Sequence, residues 1–486
     1  MLFNTFQFAY FFAILFPTYW ALRRHYKAQN LLLLLAGYYF YACWEPKFLA
    51  LLILSTVMDF ACGLAVDRIE APRKRKLFVI LSMALNLGML GYFKYVNFFA
   101  ASMQVALAKA GLNVPLWHIE VVLPIGISFY TFQSMSYVID VYRKDIKPTR
   151  NLLEFATFVS FFPHLVAGPI MRPTTLLPQI QAPRKFDLDQ IYQGAYLIFW
   201  GLTKKVVVAD NLSWYVNDLF GRWQTIDGGL ALLAIYAFAF QIYCDFSGYT
   251  DAARGIAKCL GIELALNFNL PYFATSPQDF WGRWHISLSK WLQDYLYIPL
   301  GGSRGGTFNT YRNLMLTMII GGLWHGAAWT FIIWGAYQGA ILVGHRLAKP
   351  LLARVDPTEP IDRACWKAVR IIATFHMVCF GWLIFRSTGA APDIHGVVAY
   401  TGVEQLRGMI DAVLYRPAIP ASAYLLPVMV TVLPLLLVQV VQYLTKDLDI
   451  VLRTPWYVRS VFYTLCFYAF VLGGEFGGSQ FIYFQF

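Results

Sequence analysis

The chain has 486 residues, of which 58% are hydrophobic and only 14% charged, with a mean hydropathy of +0.52. A soluble domain carries about a quarter charged residues, so a single soluble core cannot absorb this much apolar surface, whereas a bilayer can. The formal net charge of +12 sits in short clusters between apolar runs, among them Arg23-Arg24, Arg73-Lys74-Arg75-Lys76, Arg143-Lys144 and Lys204-Lys205, which is the pattern of loops beside anionic lipid and argues against a nucleic-acid-binding groove.

The first apolar run, Phe6 to Leu22, has no basic residue before it and is followed directly by Arg23, Arg24 and His25. It reads as an uncleaved first span with an extracytoplasmic N-terminus. Further candidate spans lie near residues 30–45, 47–66, 77–99, 121–139, 152–170, 192–209, 228–244, 313–345, 366–386, 420–443 and 458–474, giving roughly a dozen passes or partial passes at about 20 residues each. The run 313–345 is too long for one simple helix. Counting from an outside N-terminus places Arg73–Lys76 and the stretch from Arg143 to Arg150 on the cytoplasmic side. The polar stretches are too short to fold alone, and no internal repeat is evident, so one membrane domain over residues 1–486 is the simplest organisation. Seven cysteines are scattered without CxxC spacing, which argues against both a disulfide framework and a zinc site.

Several segments carry candidate chemistry. In FFPHLVAGP, His164 lies between Pro163 and Pro169, a pattern that suggests a kinked or re-entrant backbone lining a cavity. The segment CDFSGYTD, with Asp245, follows a long apolar run and reads as an interfacial turn, a hydrogen-bonding cluster or part of a pocket. From Phe280 the chain runs FWGRWHISLSKWLQDYLYIPLGG. Phe280, Trp281, Trp284, Leu288 and Trp291 recur at helical spacing, with Arg283, Ser287, Lys290 and Asp294 on a polar stripe. This predicts an amphipathic helix, either a surface anchor or a wall of an active-site funnel. His285 falls between the two faces, as ligand, orienter or filler.

Between Arg312 and Arg346 there is no Asp, Glu, Lys or Arg, yet the run contains GGLWHG with Trp324 and His325. The pair Gly321-Gly322 suggests a helix break or a close backbone approach. A histidine deep in an apolar segment is costly unless it is paired or faces a water-filled cavity. Its pKa near 6.5 suits a general base at neutral pH, and the alternative is an imidazole hydrogen-bonded to a neighbouring helix. His118 and His395 read as loop residues. There is no Walker A, GxGxxG, HExxH or GxSxG pattern.

Taken together, GYFKYVNFF at 91–99, LPIGISFYTFQSMSYVIDVYR at 123–143, FFPHLVAGPIMR at 161–172, DFSGYTDAARGIAKCLG at 245–261, the block at 280–306, GGLWHGAAWTFIIWGAYQG at 321–339 and the ending QFIYFQF at 480–486 resemble the membrane-bound O-acyltransferase (MBOAT) superfamily, and within it the branch that O-acetylates bacterial alginate. The resemblance implies an all-α polytopic transmembrane bundle, with interfacial and re-entrant helices around a central tunnel. It assigns the catalytic role to His325 and places His285 in the reaction chamber or donor tunnel; Trp281, Trp284 and Trp324 are expected to shape that channel, and Asp245 and Gln338 to belong to the same chamber. It implies acetyl-CoA as a cytoplasmic donor and no permanently bound cofactor or metal. The implied partners are an extracytoplasmic protein carrying a serine, a polysaccharide acceptor and the lipids of a bacterial inner membrane. Alginate-type relatives read WGxxHG where this chain reads WGAYQG, so Gln338 stands at a histidine position, and a peptidoglycan, cellulose or teichoic-acid system stays open. A transporter is the competing class, but its signature of paired ionisable residues within spans, or of a repeat, is not found in the sequence.

Overall fold

The computed structural model describes residues 1–112, 114, 119, 121–357, 359–389 and 400–476; His118, His395 and the ending at 480–486 lie outside the described residues. The chain is 76% helical and, among the described residues, has no strand. Six helical runs are long and apolar enough to cross a bilayer: Pro46–Arg68, Pro72–Lys109, Gly228–Cys259, Pro360–Arg386, Ser422–Thr445 and Trp456–Gly473. The protein is a multi-pass, all-α membrane protein. Its remaining apolar runs form helices that are shorter or more polar than these six, which suits elements packed partly within protein rather than spanning lipid alone.

The chain divides into two compact units, residues 1–200 with 249–265, and residues 201–248 with 266–486. In the first unit, helices run over Phe6–Ala21 (α1), Tyr26–Ala42 (α2), Leu49–Arg68 (α3), Pro72–Leu90 (α4), Val96–Lys109 (α5), Ile127–Arg143 (α6), Leu152–Ser160 (α7), Phe162–Leu165 (α8), Pro173–Gln181 (α9) and most of Leu188–Thr203 (α10), with the last third of Gly228–Cys259. Small residues set the closeness of packing here. A Cβ on Gly37 of α2 would stand 2.1 Å from the Ser160 carbonyl oxygen, and one on Gly63 of α3 would meet the Tyr137 ring at 2.5 Å. In lipid, where no hydrophobic gradient separates helix from solvent, such approaches supply the packing that holds helices together.

One cluster of buried polar groups in this unit is joined by hydrogen bonds within the chain, as suits a place where water is scarce. Asp59 on α3 accepts hydrogen bonds from the Ser82 hydroxyl at 2.6 Å and the Asn86 amide at 2.8 Å. Asn86 in turn accepts from Ser55 at 2.8 Å. Three neutral residues from α3 and α4 thus surround a fully buried carboxyl group.

The second unit contains Asp210–Gly221 (α11), the first two-thirds of Gly228–Cys259 (α12), Pro277–Trp281 (α13), Ile286–Leu292 (α14), Thr307–His325 (α15), Trp329–Leu352 (α16), Pro360–Arg386 (α17), Gly402–Tyr415 (α18), Ser422–Thr445 (α19), Ile450–Arg453 (α20) and Trp456–Gly473 (α21). A π-helical stretch at Lys204–Ala209 precedes α11. Widening the helix there turns both lysines inward, and this corrects the reading of Lys204-Lys205 as a basic loop cluster: both are buried. The Lys205 ammonium lies 2.7 Å from Asp210 and 2.7 Å from Asp245, and Lys204 donates to the Ser247 hydroxyl at 3.0 Å. Pairing within protein is what makes charge tolerable at this burial.

Lys205→Met leaves two buried carboxylates without their shared counter-charge, a change expected to cost about 3–5 kcal/mol. The thermal midpoint of the detergent-purified protein should fall markedly and recover when Asp210→Asn and Asp245→Asn are added; an unchanged midpoint in the single variant would refute the clamp.

Candidate active site

The charge-free run folds as two helices, α15 and α16, joined by a three-residue bend at Gly326–Ala328. The glycines sort the two readings of Gly321-Gly322 in favour of close approach. Both lie inside α15, and a Cβ on Gly322 would stand 2.2 Å from the Phe331 carbonyl oxygen; one on Gly335 of α16 would stand 2.4 Å from the Met318 carbonyl oxygen. The break comes instead at Gly326, where a Cβ would fall 2.0 Å from the Phe331 ring. Any other residue would push that ring away, so Gly326 permits the bend that puts His325 at the end of α15.

His325 is buried, 4% exposed, with aromatic rings on three sides. Its ring centroid lies 5.0 Å from Trp324, 5.1 Å from Trp334 and 5.5 Å from Phe385, all in edge-to-face arrangements. From there the contacts close into a circuit of rings. Trp334 stacks on Trp382 at 6.3 Å, Trp382 meets Trp284 at 4.7 Å, and Trp284 meets Phe268 at 5.0 Å. Phe268 meets Phe246 at 5.1 Å, Phe246 meets His285 at 4.7 Å, and His285 meets Trp324 at 6.2 Å. The two imidazoles sit on one circuit with Trp324 between them. Edge-to-face aromatic pairs resist rearrangement, so the ring positions around His325 are fixed by mutual packing.

His285 is held differently. The predicted amphipathic helix is interrupted: α13 ends at Trp281 and α14 begins at Ile286, with His285 between them at φ 42°. A left-handed backbone is uncommon for a residue with a side chain and marks a position held by its surroundings. Asn267 does the holding. Its side-chain oxygen accepts from the Ser287 backbone N–H at 3.2 Å and the Ser287 hydroxyl at 2.9 Å, and lies 3.2 Å from His285 Nδ1. Because a backbone N–H can only donate, that Asn267 atom is the oxygen, and His285 Nδ1 must donate to it. The neutral ring therefore carries its lone pair on Nε2. His285 lies between the candidate spans, and burial holds its imidazole far below the ordinary value, at about 3, so it is neutral at physiological pH.

The structure thus brings together His325, His285, Trp324, Trp284, Trp281 and Gln338 in one unit. Trp281 packs on Trp334 at 5.9 Å, and Gln338, four residues beyond Trp334 on α16, is 1% exposed. Asp245 resolves as a member of a buried polar cluster, inside α12 and paired with Lys205, not as an interfacial turn. His164 belongs to the other unit, in the short helix α8, where its Nε2 accepts from the Gln133 amide at 3.3 Å. Trp334, Trp382 and Phe385 are site residues that sequence reasoning missed. Trp334 had a signal, since it shares the charge-free run and an i, i+4 face with Gln338; Trp382 and Phe385 sit in an ordinary apolar span without one. Among the described residues no three of His, Cys, Asp or Glu gather as a metal site requires.

A family model for the membrane-bound O-acyltransferase family matches residues 95–388, a stretch that contains both histidines and the whole aromatic circuit. The chain belongs to this family. It is 44% identical to the probable alginate O-acetylase AlgI of Azotobacter vinelandii, across 74% of this chain and 70% of that protein. It is 35% identical to the peptidoglycan O-acetyltransferase of Helicobacter pylori, across 83% and 81%, and 30% identical to the teichoic acid D-alanyltransferase of Bacillus subtilis, across 54% and 68%. The protein is a membrane O-acyltransferase.

Gly326→Ala drives a Cβ into Phe331 and should displace His325 from its ring contacts. A misplacement of this order lowers turnover by about 10²-fold, read as acyl transfer by the purified variant. Adding Phe331→Ala should restore part of the rate, whereas undiminished activity in Gly326→Ala would show that the bend does not position His325.

Proposed function

We propose that this chain transfers an acetyl group from cytoplasmic acetyl-CoA to a hydroxyl on the extracytoplasmic side of a bacterial inner membrane, with His325 as the general base. The observation that carries this reading is the placement of His325: buried, ringed by Trp324, Trp334 and Phe385, and inside the segment that matches the acyltransferase family.

In this reading the acceptor oxygen attacks the thioester carbonyl carbon while its proton passes to His325. A C–O bond forms, and the carbonyl π pair moves onto oxygen. Collapse of that intermediate restores the carbonyl and breaks the C–S bond, and the departing CoA sulfur takes the proton back from His325. General-base catalysis of this kind contributes about 10²–10⁴ in rate, and holding donor and acceptor in one water-poor site contributes further. CoA enters as a substrate, and no resident cofactor or metal takes part in this scheme. The basic residues at Arg73–Lys76 and Arg143–Arg150 suit attraction of the CoA phosphates at the cytoplasmic face.

The acceptor proposed is a serine on an extracytoplasmic partner protein, which then esterifies a hydroxyl of an exported polysaccharide of the alginate type. The identities to an alginate O-acetylase and a peptidoglycan O-acetyltransferase support a glycan as the final acceptor. The weaker likeness to a D-alanyltransferase makes a carrier-protein thioester the competing donor.

Proteoliposomes supplied with radiolabelled acetyl-CoA and the exported acceptor should accumulate covalent label, and His325→Ala should lower that rate by at least about 10² at unchanged expression. Substantial residual turnover in His325→Ala sinks the assignment of the base. Label transferred only from a D-alanyl carrier thioester, and not from acetyl-CoA, sinks the donor.

A further inference from the structure

The turn that carries His285 is tied to residues 267–269 in two independent ways. The backbone supplies the first: the Ile286 N–H donates to the Asn267 carbonyl oxygen at 3.0 Å, and the Asn269 N–H to the Arg283 carbonyl oxygen at 2.9 Å. Neither bond depends on which side chain stands at 267. The second belongs to the Asn267 side chain, whose oxygen accepts from the Ser287 hydroxyl at 2.9 Å, from the Ser287 N–H at 3.2 Å and from His285 Nδ1 at 3.2 Å. Asn267 is 1% exposed and His285 0%, so bulk water does not compete for these bonds. With the turn already held by backbone, the side chain adds control of the imidazole itself.

The kind of partner on Nδ1 decides what that imidazole can do. A carboxylate there stabilises the imidazolium and makes the histidine a stronger base, as in a catalytic triad. An amide oxygen fixes the same tautomer without a charge, and burial then disfavours protonation of the ring. The second unit does bury carboxylates, but Asp210 and Asp245 both lie against Lys205. His285 meets Trp324 at 6.2 Å, and Trp324 meets His325 at 5.0 Å. A cation at His285 would oppose the positive charge that His325 acquires on taking a proton.

We propose that Asn267 is a positioning residue for acyl transfer, which holds His285 as a neutral imidazole with its proton on Nδ1, so that the acceptor's proton goes to His325. This role rests on the acyl-transfer reading above and gives the two histidines different tasks. His285 neither gains nor loses a proton through the cycle. Its Nδ1 proton stays in the bond to Asn267, while the proton of the acceptor hydroxyl moves to His325 and from there to the departing CoA sulfur.

Asn267→Asp separates positioning from mere support of the turn. It keeps an oxygen acceptor for all three side-chain bonds and leaves both backbone bonds in place, but it puts a carboxylate on the ring. A structural role alone predicts wild-type turnover. The positioning role predicts a wild-type thermal midpoint with acetyl-CoA turnover lower by about 10², mainly in kcat. Solid-state spectra of ¹⁵N-histidine-labelled protein in liposomes, with the His285 signal assigned by its loss in His285→Gln, should show a neutral ring protonated at Nδ1 in the wild type and an imidazolium in Asn267→Asp. Asn267→Leu, which releases the tautomer, should lose turnover by a similar factor. A wild-type ring protonated at Nε2, or full turnover in Asn267→Asp, overturns the assignment of Asn267 and leaves the acyl-transfer reading intact. No turnover of acetyl-CoA by the wild type removes that reading and the role of Asn267 with it. Because the wild-type spectrum reads the tautomer with Asn267 in place, the proposal can be refuted even where a variant at 267 fails to fold.

Discussion

The close crossing of α15 and α16 is the constraint on which the site depends. Gly322 and Gly335 each face a backbone carbonyl of the other helix, at distances where no Cβ fits. That contact turns a 33-residue stretch without a charged side chain into a helical hairpin. Association of helices within a bilayer gains little from hydrophobicity and draws instead on such close packing. With the hairpin set, His325 ends one arm while Thr330, Trp334 and Gln338 form a stripe on the other. His325 and the polar stripe therefore come from a single local element, and α17 supplies the wall of Trp382 and Phe385 against it.

Around this element the protein buries polar groups in clusters. In the first unit, Asp59 is enclosed by Ser82 and Asn86, and in the second, Lys205 is clamped between Asp210 and Asp245. These groups are satisfied by the chain, as buried charge and polarity must be where water is scarce. Beside His325 the Trp334 indole N–H is buried without a partner among the described residues, as are the Gln29 side-chain oxygen and the Thr131 hydroxyl in the first unit.

Much of this was legible in the sequence. Hydropathy and charge spacing established a helical membrane protein, and the isolation of His325 in GGLWHG marked the residue around which the site is built. The same pattern logic misplaced other features. An unbroken amphipathic helix was expected from Phe280 onward, but Asn267 bonds His285 and Ser287 and bends the chain between α13 and α14. Lys204-Lys205 had the look of a loop cluster, because a π-helical widening that turns both inward has no signature in composition. Trp382 and Phe385 were invisible because their segment is an ordinary apolar span.

What the sequence determined by itself was the membrane environment, the helical class and the isolation of His325, since hydropathy, helical period and a lone imidazole are properties of contiguous residues. Tertiary structure alone decided which carboxylates neutralise Lys205, which tautomer His285 holds, and which indoles stand beside His325. Each of those depends on residues distant in the chain meeting within a few ångströms, and no one-dimensional pattern encodes a distance between helices.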